Sequence, residues 1–280
     1  MSTGHILLLG AIAGATIFLG LPIGRVQGLS RSARSGLSAL ATGILVFLLW
    51  DVLTNAVDPI ESALDARHWG RFSSLSALGV AGFVAGLMSL VYYEAWMKRR
   101  SDRRGSTLVG PGAAAIDEFA ARRLLDLENP AIRLAFLIAI GIGVHNFGEG
   151  LAIGQAAAAD QLSLAVTLII GFGLHNATEG FGICGPLSGE GIRPSWKLLG
   201  LLGLIGGGPT FLGTVVGQAW TSDAIAVVFF TVAAGSILYV VQELMAVNRR
   251  YGHTVVVTWL MLLGILLGFA TDFVVSAAGV

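Results

Sequence analysis

Apolar runs of about twenty residues, separated by short polar breaks, recur along the whole chain. A helix needs about 20 predominantly apolar residues to cross the hydrocarbon core of a bilayer. Eight stretches meet that requirement. They run roughly from Gly4 to Gly24, Gly36 to Ala56, Leu75 to Trp96, Ile132 to Ala158, Leu162 to Cys184, Lys197 to Gln218, Ala224 to Val247 and Thr254 to Ser276. The pattern therefore predicts an all-α integral membrane protein with eight transmembrane helices. One connection is long, residues 97–130, and the others are short, so residues 1–280 read as a single transmembrane domain. The first stretch has its arginines after it rather than before it, which marks a retained helix rather than a cleaved leader.

Composition agrees with that picture. Hydrophobic residues make up 55% of the chain and charged residues 12%, half of the roughly 25% usual for globular proteins. Seventeen basic residues balance seventeen acidic ones, so bulk charge points to no nucleic-acid partner. The single cysteine, Cys184, excludes an internal disulfide and any multi-cysteine metal site. The 39 glycines have no collagen-like period and suit helices that pack closely in lipid.

Charge placement changes the picture more than charge number. Fifteen of the seventeen Lys and Arg residues fall on odd-numbered connections, and only Arg67 and Arg71 on even-numbered ones. Cytoplasmic loops carry the excess of positive charge, so both termini are expected outside the cytoplasm, in a plasma (inner) membrane. The long connection begins KRRSDRR and ends in a helix-patterned stretch, IDEFAARRLLDLEN, suited to the membrane surface. Lipid is thus one expected partner. A homodimer stays open, because nothing in the pattern selects an oligomeric state.

The chemistry lies in the fourth and fifth spans. Ionisable groups in mid-membrane are costly and by default functional. The fourth span carries VHNFGEGLAIG and the fifth LHNATEGFGIC, and eight of fifteen aligned positions between Ile140–Gly154 and Ile170–Cys184 are identical. His145 and Glu149 stand four residues apart on one helical face, with Asn146 beside them. His175, Asn176 and Glu179 repeat the set. A lone intramembrane His or Asn is commonly interhelical hydrogen-bonding glue, but packing does not require the whole set in duplicate. Imidazole nitrogen with carboxylate and amide oxygen suits Zn(II), Fe(II), Mn(II), Co(II) or Cd(II). One such ion neutralises Glu149 and Glu179 together.

These motifs resemble those of the ZIP (Zrt/Irt-like) family of divalent-metal transporters. GGPTFLGTVVG in the sixth span and AGSILYVVQEL in the seventh add to the resemblance, which covers nearly the whole chain. It implies a divalent ion, zinc first, carried as substrate toward the cytoplasm by alternating access through a site between spans four and five. It also implies no enzymatic activity and no catalytic cofactor, and it places a pathway carboxylate at Glu243. Gly148 and Thr178 stand where many relatives have proline, Gly208 stands where many have an acid, and the long connection lacks histidine.

The first three and last three spans resemble each other too. ATGILVFLLWD in the second aligns without gaps on AAGSILYVVQE in the seventh, pairing Ala41, Gly43 and Asp51 with Ala233, Gly235 and Glu243. FLG recurs at Phe18 and Phe211. An inverted repeat of spans one to three and six to eight around the metal-binding pair gives a 3+2+3 arrangement of the kind found in secondary transporters. Asp51 is then expected near the outer face and Glu243 near the inner face, as paired gates. The alternative is an intramembrane metal-dependent hydrolase, with Glu149 or Glu179 as general base. The sequence has no HExxH motif to support it.

Overall fold

The computed structural model describes residues 3–26, 30–105, 127, 129–158, 173, 176–177, 179–188, 190–219, 222–250 and 252–277. Every regular element among them is helical. The helices are α1 (Thr3–Ala15), α2 (Ile17–Gly20) with a 3₁₀ turn at Leu21–Arg25, α3 (Arg31–Asp65), α4 (Trp69–Gly105) and α5 (Pro130–Ala158). They continue as α6 (179–188), α7 (Trp196–Gly217), α8 (Asp223–Arg250) and α9 (Thr254–Ala277). Seven runs among the described residues are long and apolar enough to cross a membrane, α1, α2 and the 3₁₀ turn counting as one. The expected fifth span, Leu162 to Cys184, lies largely outside the described residues, as does most of the expected surface helix in the long connection.

Local chemistry sets where these helices start. Ser30 caps α3 by accepting from the Ala33 amide at 3.1 Å, and Ser195 caps α7 by accepting from Leu198 at 3.1 Å. At α5 the Asn129 side chain accepts from the amides of Ala131 (3.0 Å) and Ile132 (3.3 Å), with Pro130 in the first turn. Side-chain caps satisfy amides that have no partner inside the helix, and proline at the first position gives up no hydrogen bond.

α3 and α4 are longer than their apolar stretches. With 35 and 37 residues at 1.5 Å each, they measure about 52 and 55 Å, well beyond a hydrocarbon core of roughly 30 Å. α3 runs on through Pro59 and the polar stretch after Ala56, so the helix ends where the backbone turns and not where hydropathy falls. That turn is made by Arg67 at φ 57°, with His68 donating to the Ala63 carbonyl at 2.9 Å and Arg67 to Leu64 at 2.8 Å, a helix-terminating arrangement.

α5 lies between α7 and α8, α3 packs on both α8 and α9, α4 on α8, and α1 on α7. Leu45, Leu48, Ile138, Ile142, Ile183, Leu202, Ile237 and Val240 form one continuous buried core across α3, α5, α6, α7 and α8. Glycines make the closest crossings. A Cβ at Gly14 would collide with the Gly207 carbonyl, and one at Gly207 with the Gly14 carbonyl. A Cβ on Gly20 would collide with Ala177 O, and its counterpart Gly213 would meet Phe147 O. Gly43 meets α9 at Met261, while its counterpart Gly235 meets α4 at Phe83. The contacts of α1, α3 and α4 thus recur in α7, α8 and α9 in matching register.

Candidate functional site

α5 presents His145, Asn146 and Glu149 toward the helix that carries Asn176 and Glu179, and all five are at most 5% exposed. His145 Nε2 stands 3.3 Å from Glu149 Oε1 and 3.8 Å from Glu179 Oε1. One turn of helix separates His145 from Glu149, which is why the first pair meets on a single face. The second pair is made between helices.

The two asparagines hold this cluster to the surrounding backbone. Asn146 Nδ2 donates to Glu179 Oε2 at 2.9 Å and to the Gly206 carbonyl at 3.1 Å. Asn176 Nδ2 donates to the Ala13 carbonyl at 3.0 Å. Ala13 precedes Gly14 and Gly206 precedes Gly207, so the two amides grip equivalent points of α1 and α7. Both Asn146 and Asn176 therefore spend their N–H donors on protein and keep their oxygens. Asn146 Oδ1, Asn176 Oδ1 and Glu149 Oε2 are buried and accept no hydrogen bond. A buried acceptor left without a donor costs about 1–3 kcal/mol, and a cation is one kind of partner that would satisfy such oxygens.

Among the described residues, no three His, Cys, Asp or Glu side chains by themselves form a cage for a metal ion. The cluster is an imidazole and two carboxylates side by side, with carboxamide oxygens as the further donors. His175 lies outside the described residues, and so does Thr178.

Asp51 and Glu243 have different surroundings. Asp51 is within electrostatic reach of His145, Glu149 and Glu179, and of Asp272 on α9. α3 runs fourteen residues past it to Asp65, about 21 Å of helix, so Asp51 adjoins the central cluster rather than ending a helix. Glu243 lies half-buried seven residues from the end of α8. It lines a cavity of about 600 Å³ with Glu94, Asn129, Arg133, Leu137, Glu190 and Tyr239. Sequence reading had counted Arg133 only as topogenic charge and had passed over Glu94 and Tyr239.

With this geometry in view, the ZIP Zinc transporter family matches the chain over residues 117–276. The chain belongs to the ZIP zinc transporter family. The match takes in α5 to α9 and both His-Asn-x-x-Glu-Gly motifs, and leaves the first three spans outside it, a narrower extent than the sequence motifs implied. None of the curated proteins matches the chain. Membership makes this ZIP chain an integral membrane transporter of divalent metal ions, with metal as substrate rather than cofactor. An intramembrane hydrolase is not favoured.

Proposed function

We propose that this ZIP protein moves a divalent transition-metal ion, zinc first among Zn(II), Fe(II), Mn(II), Co(II) and Cd(II), toward the cytoplasm by alternating access. The central site comprises His145, Asn146 and Glu149 on α5 with His175, Asn176 and Glu179 on the next span. The observation that carries this reading is that Asn146, Asn176 and Glu149 each keep a buried oxygen that accepts no hydrogen bond, while Glu149 and Glu179 stand on the His145 imidazole at 3.3 and 3.8 Å. One divalent ion satisfies them and cancels the two carboxylate charges. The absence of a nearby thiolate favours borderline over soft ions. The direction, toward the cytoplasm, is what the family resemblance implies, and the positive-inside rule assigns the Arg- and Lys-rich connections to the cytoplasmic side.

The matching glycine contacts and the twin asparagine anchors support a 3+2+3 inverted repeat, with the central pair gripped alike from both halves. Bundles held by backbone contact over small residues present smooth surfaces, which suits rigid-body rocking around a midplane site. Radiolabelled zinc uptake into proteoliposomes containing only this protein tests transport. A competition series among zinc, cadmium, iron and manganese in the same assay ranks the metals. Uptake no faster than in empty vesicles would overturn the reading.

Acid should weaken binding. Imidazole and carboxylate bind metal only when deprotonated, so each proton taken up by the empty site competes with the ion. Metal affinity measured from about pH 7.5 to 5 is expected to fall as pH drops. A flat profile would count against coordination by histidine.

The gates have distinct expected phenotypes. Asp51, beside the central cluster on its outer side, would gather metal arriving from outside, and Glu243 would receive it on the way in. Asp51→Asn should raise the apparent KM for external metal about fivefold with little change in maximal rate. Glu243→Gln should chiefly lower the maximal rate. Identical effects from both, or none from either, would refute the gate assignment without touching the central site.

A further inference from the structure

The cavity that Glu243 lines holds a fixed positive charge. Arg133, on the first turn of α5, points its guanidinium at Glu94 of α4, with Nη2 to Oε1 at 3.9 Å and both side chains about 15% exposed or less. The Tyr239 hydroxyl of α8 donates to the other oxygen of the same carboxylate, Glu94 Oε2. The vestibule wall is thus tied across three helices: α5 supplies the cation, α4 the anion and α8 the hydroxyl. Leu137 lines the same cavity and lies eight residues before His145, about 12 Å along α5, so the vestibule opens at one end of the helix that carries the central site.

The register between the two halves shows what is special about this end. The alignment that pairs Phe83 with Met261 and Gly86 with Gly264 carries Glu94 onto Asp272. The alignment of the two motifs carries Arg133 onto Ser163, and that of the second and seventh spans carries Tyr239 onto Phe47. The carboxylates therefore recur, Asp51 with Asp272 at one end and Glu243 with Glu94 at the other. In the aligned sequence the arginine and the tyrosine have no charged or phenolic counterpart, their partners being serine and phenylalanine. Close-packing glycines keep the symmetry while these charged and polar positions break it.

We propose that Arg133 is a tethered cation of the release vestibule, competing with the departing metal ion for the carboxylates there. An ion leaving the central site meets Glu243 and Glu94, which alone would hold a divalent cation tightly and slow its escape. A guanidinium 3.9 Å from Glu94 adds positive charge to the vestibule, so a divalent ion is held there less tightly than the carboxylates would hold it without Arg133. Because Arg133 rides on α5, any rocking of α5 against α4 changes its distance from Glu94 and couples the vestibule's charge to the transport cycle. This inference rests on the reading of the Glu243 end as the release side.

The test is zinc flux in proteoliposomes of known sidedness, with zinc supplied to one face at a time. Arg133→Gln should tighten the apparent affinity for zinc offered at the Glu243 end about tenfold, since one unit of opposing charge is lost close to a divalent ion. The KM from the other face should stay within about twofold. Glu94→Gln should act oppositely and weaken affinity at the Glu243 end, because the guanidinium then faces the vestibule without its partner. A merely structural ion pair predicts the same direction of damage from both substitutions, and that result would overturn the proposal. So would an unshifted affinity in a well-folded Arg133→Gln protein. Should that variant not fold, Glu94→Gln decides alone, with unchanged or tighter affinity at the Glu243 end counting against the proposal. Saturable flux in the unmodified protein with no shift in the variants sinks only this inference. Failure of the unmodified protein to carry zinc sinks the functional reading as well.

Discussion

Replacing Glu149 or Glu179 with alanine is expected to reduce zinc transport at least about a hundredfold while leaving the protein inserted and folded. Each carboxylate is at most 5% exposed, and each stands within 4 Å of His145 Nε2. The deletion removes an oxygen donor and also half of the negative charge that makes a divalent ion tolerable at that depth. Gln substitutions should be nearly as damaging, since a carboxamide restores an oxygen but not the charge. The two positions should differ in one respect. Glu179 also accepts from Asn146, so Glu179→Ala frees that amide as well and should lower thermal stability, whereas Glu149→Ala should leave it near the unmodified value. Transport near the unmodified rate in a well-expressed Glu149→Ala protein would remove the central site from the account.

The next largest effect is expected at Gly207. The Cβ of any other residue there would run into the Gly14 carbonyl and come within 2.9 Å of Ile17 Cγ2. Backbone faces backbone at this crossing, so no side chain can swing aside, and α1 must separate from α7. Overpacking of this kind costs about 1–3 kcal/mol, and for a chain of this size that lowers a melting midpoint by roughly 10 °C at the upper end. Gly207→Val should therefore shift the unfolding midpoint in detergent by about that amount and abolish transport, because the same crossing positions Ala13 and Gly206 for the asparagine anchors. Gly200→Ala, on the same helix with nothing within 4 Å of the new carbon, serves as the control. Equal midpoints for the two variants would show that the crossing does not depend on glycine.

The sequence made some of this plain, for identifiable reasons. His145, Asn146 and Glu149 announce themselves because charged and polar groups are rare in apolar runs and these are duplicated in register. The matching of Gly20 with Gly213 and of Gly43 with Gly235 was legible as short repeated strings, although only packing shows that each glycine meets backbone and adds Gly14 with Gly207 to the set. What hydropathy could not show was where α3 and α4 end, because Arg67 closes α3 by adopting a left-handed conformation that arginine seldom takes. The apolar stretch ends near Asp51 while the helix continues to Asp65, so hydropathy alone gave no sign of how much helix follows it. Arg133 was absorbed into a count of basic residues. Its signal was present in the broken symmetry, where the repeat that pairs the two motifs places an arginine opposite Ser163. The anchors from Asn146 and Asn176 to carbonyls of α7 and α1 had no sequence signal, because a backbone acceptor is offered by any residue.

Zinc K-edge X-ray absorption on the purified protein tests the central claim most directly. With one equivalent of zinc bound, the account predicts a shell of nitrogen and oxygen only, at about 2.0–2.2 Å, with the outer-shell scattering of imidazole. The bound fraction should collapse in Glu149→Ala and Glu179→Ala proteins and persist in Glu243→Gln. A sulfur scatterer at about 2.3 Å, or an unchanged spectrum in both alanine variants, would contradict a His, Asn and Glu site between these two spans.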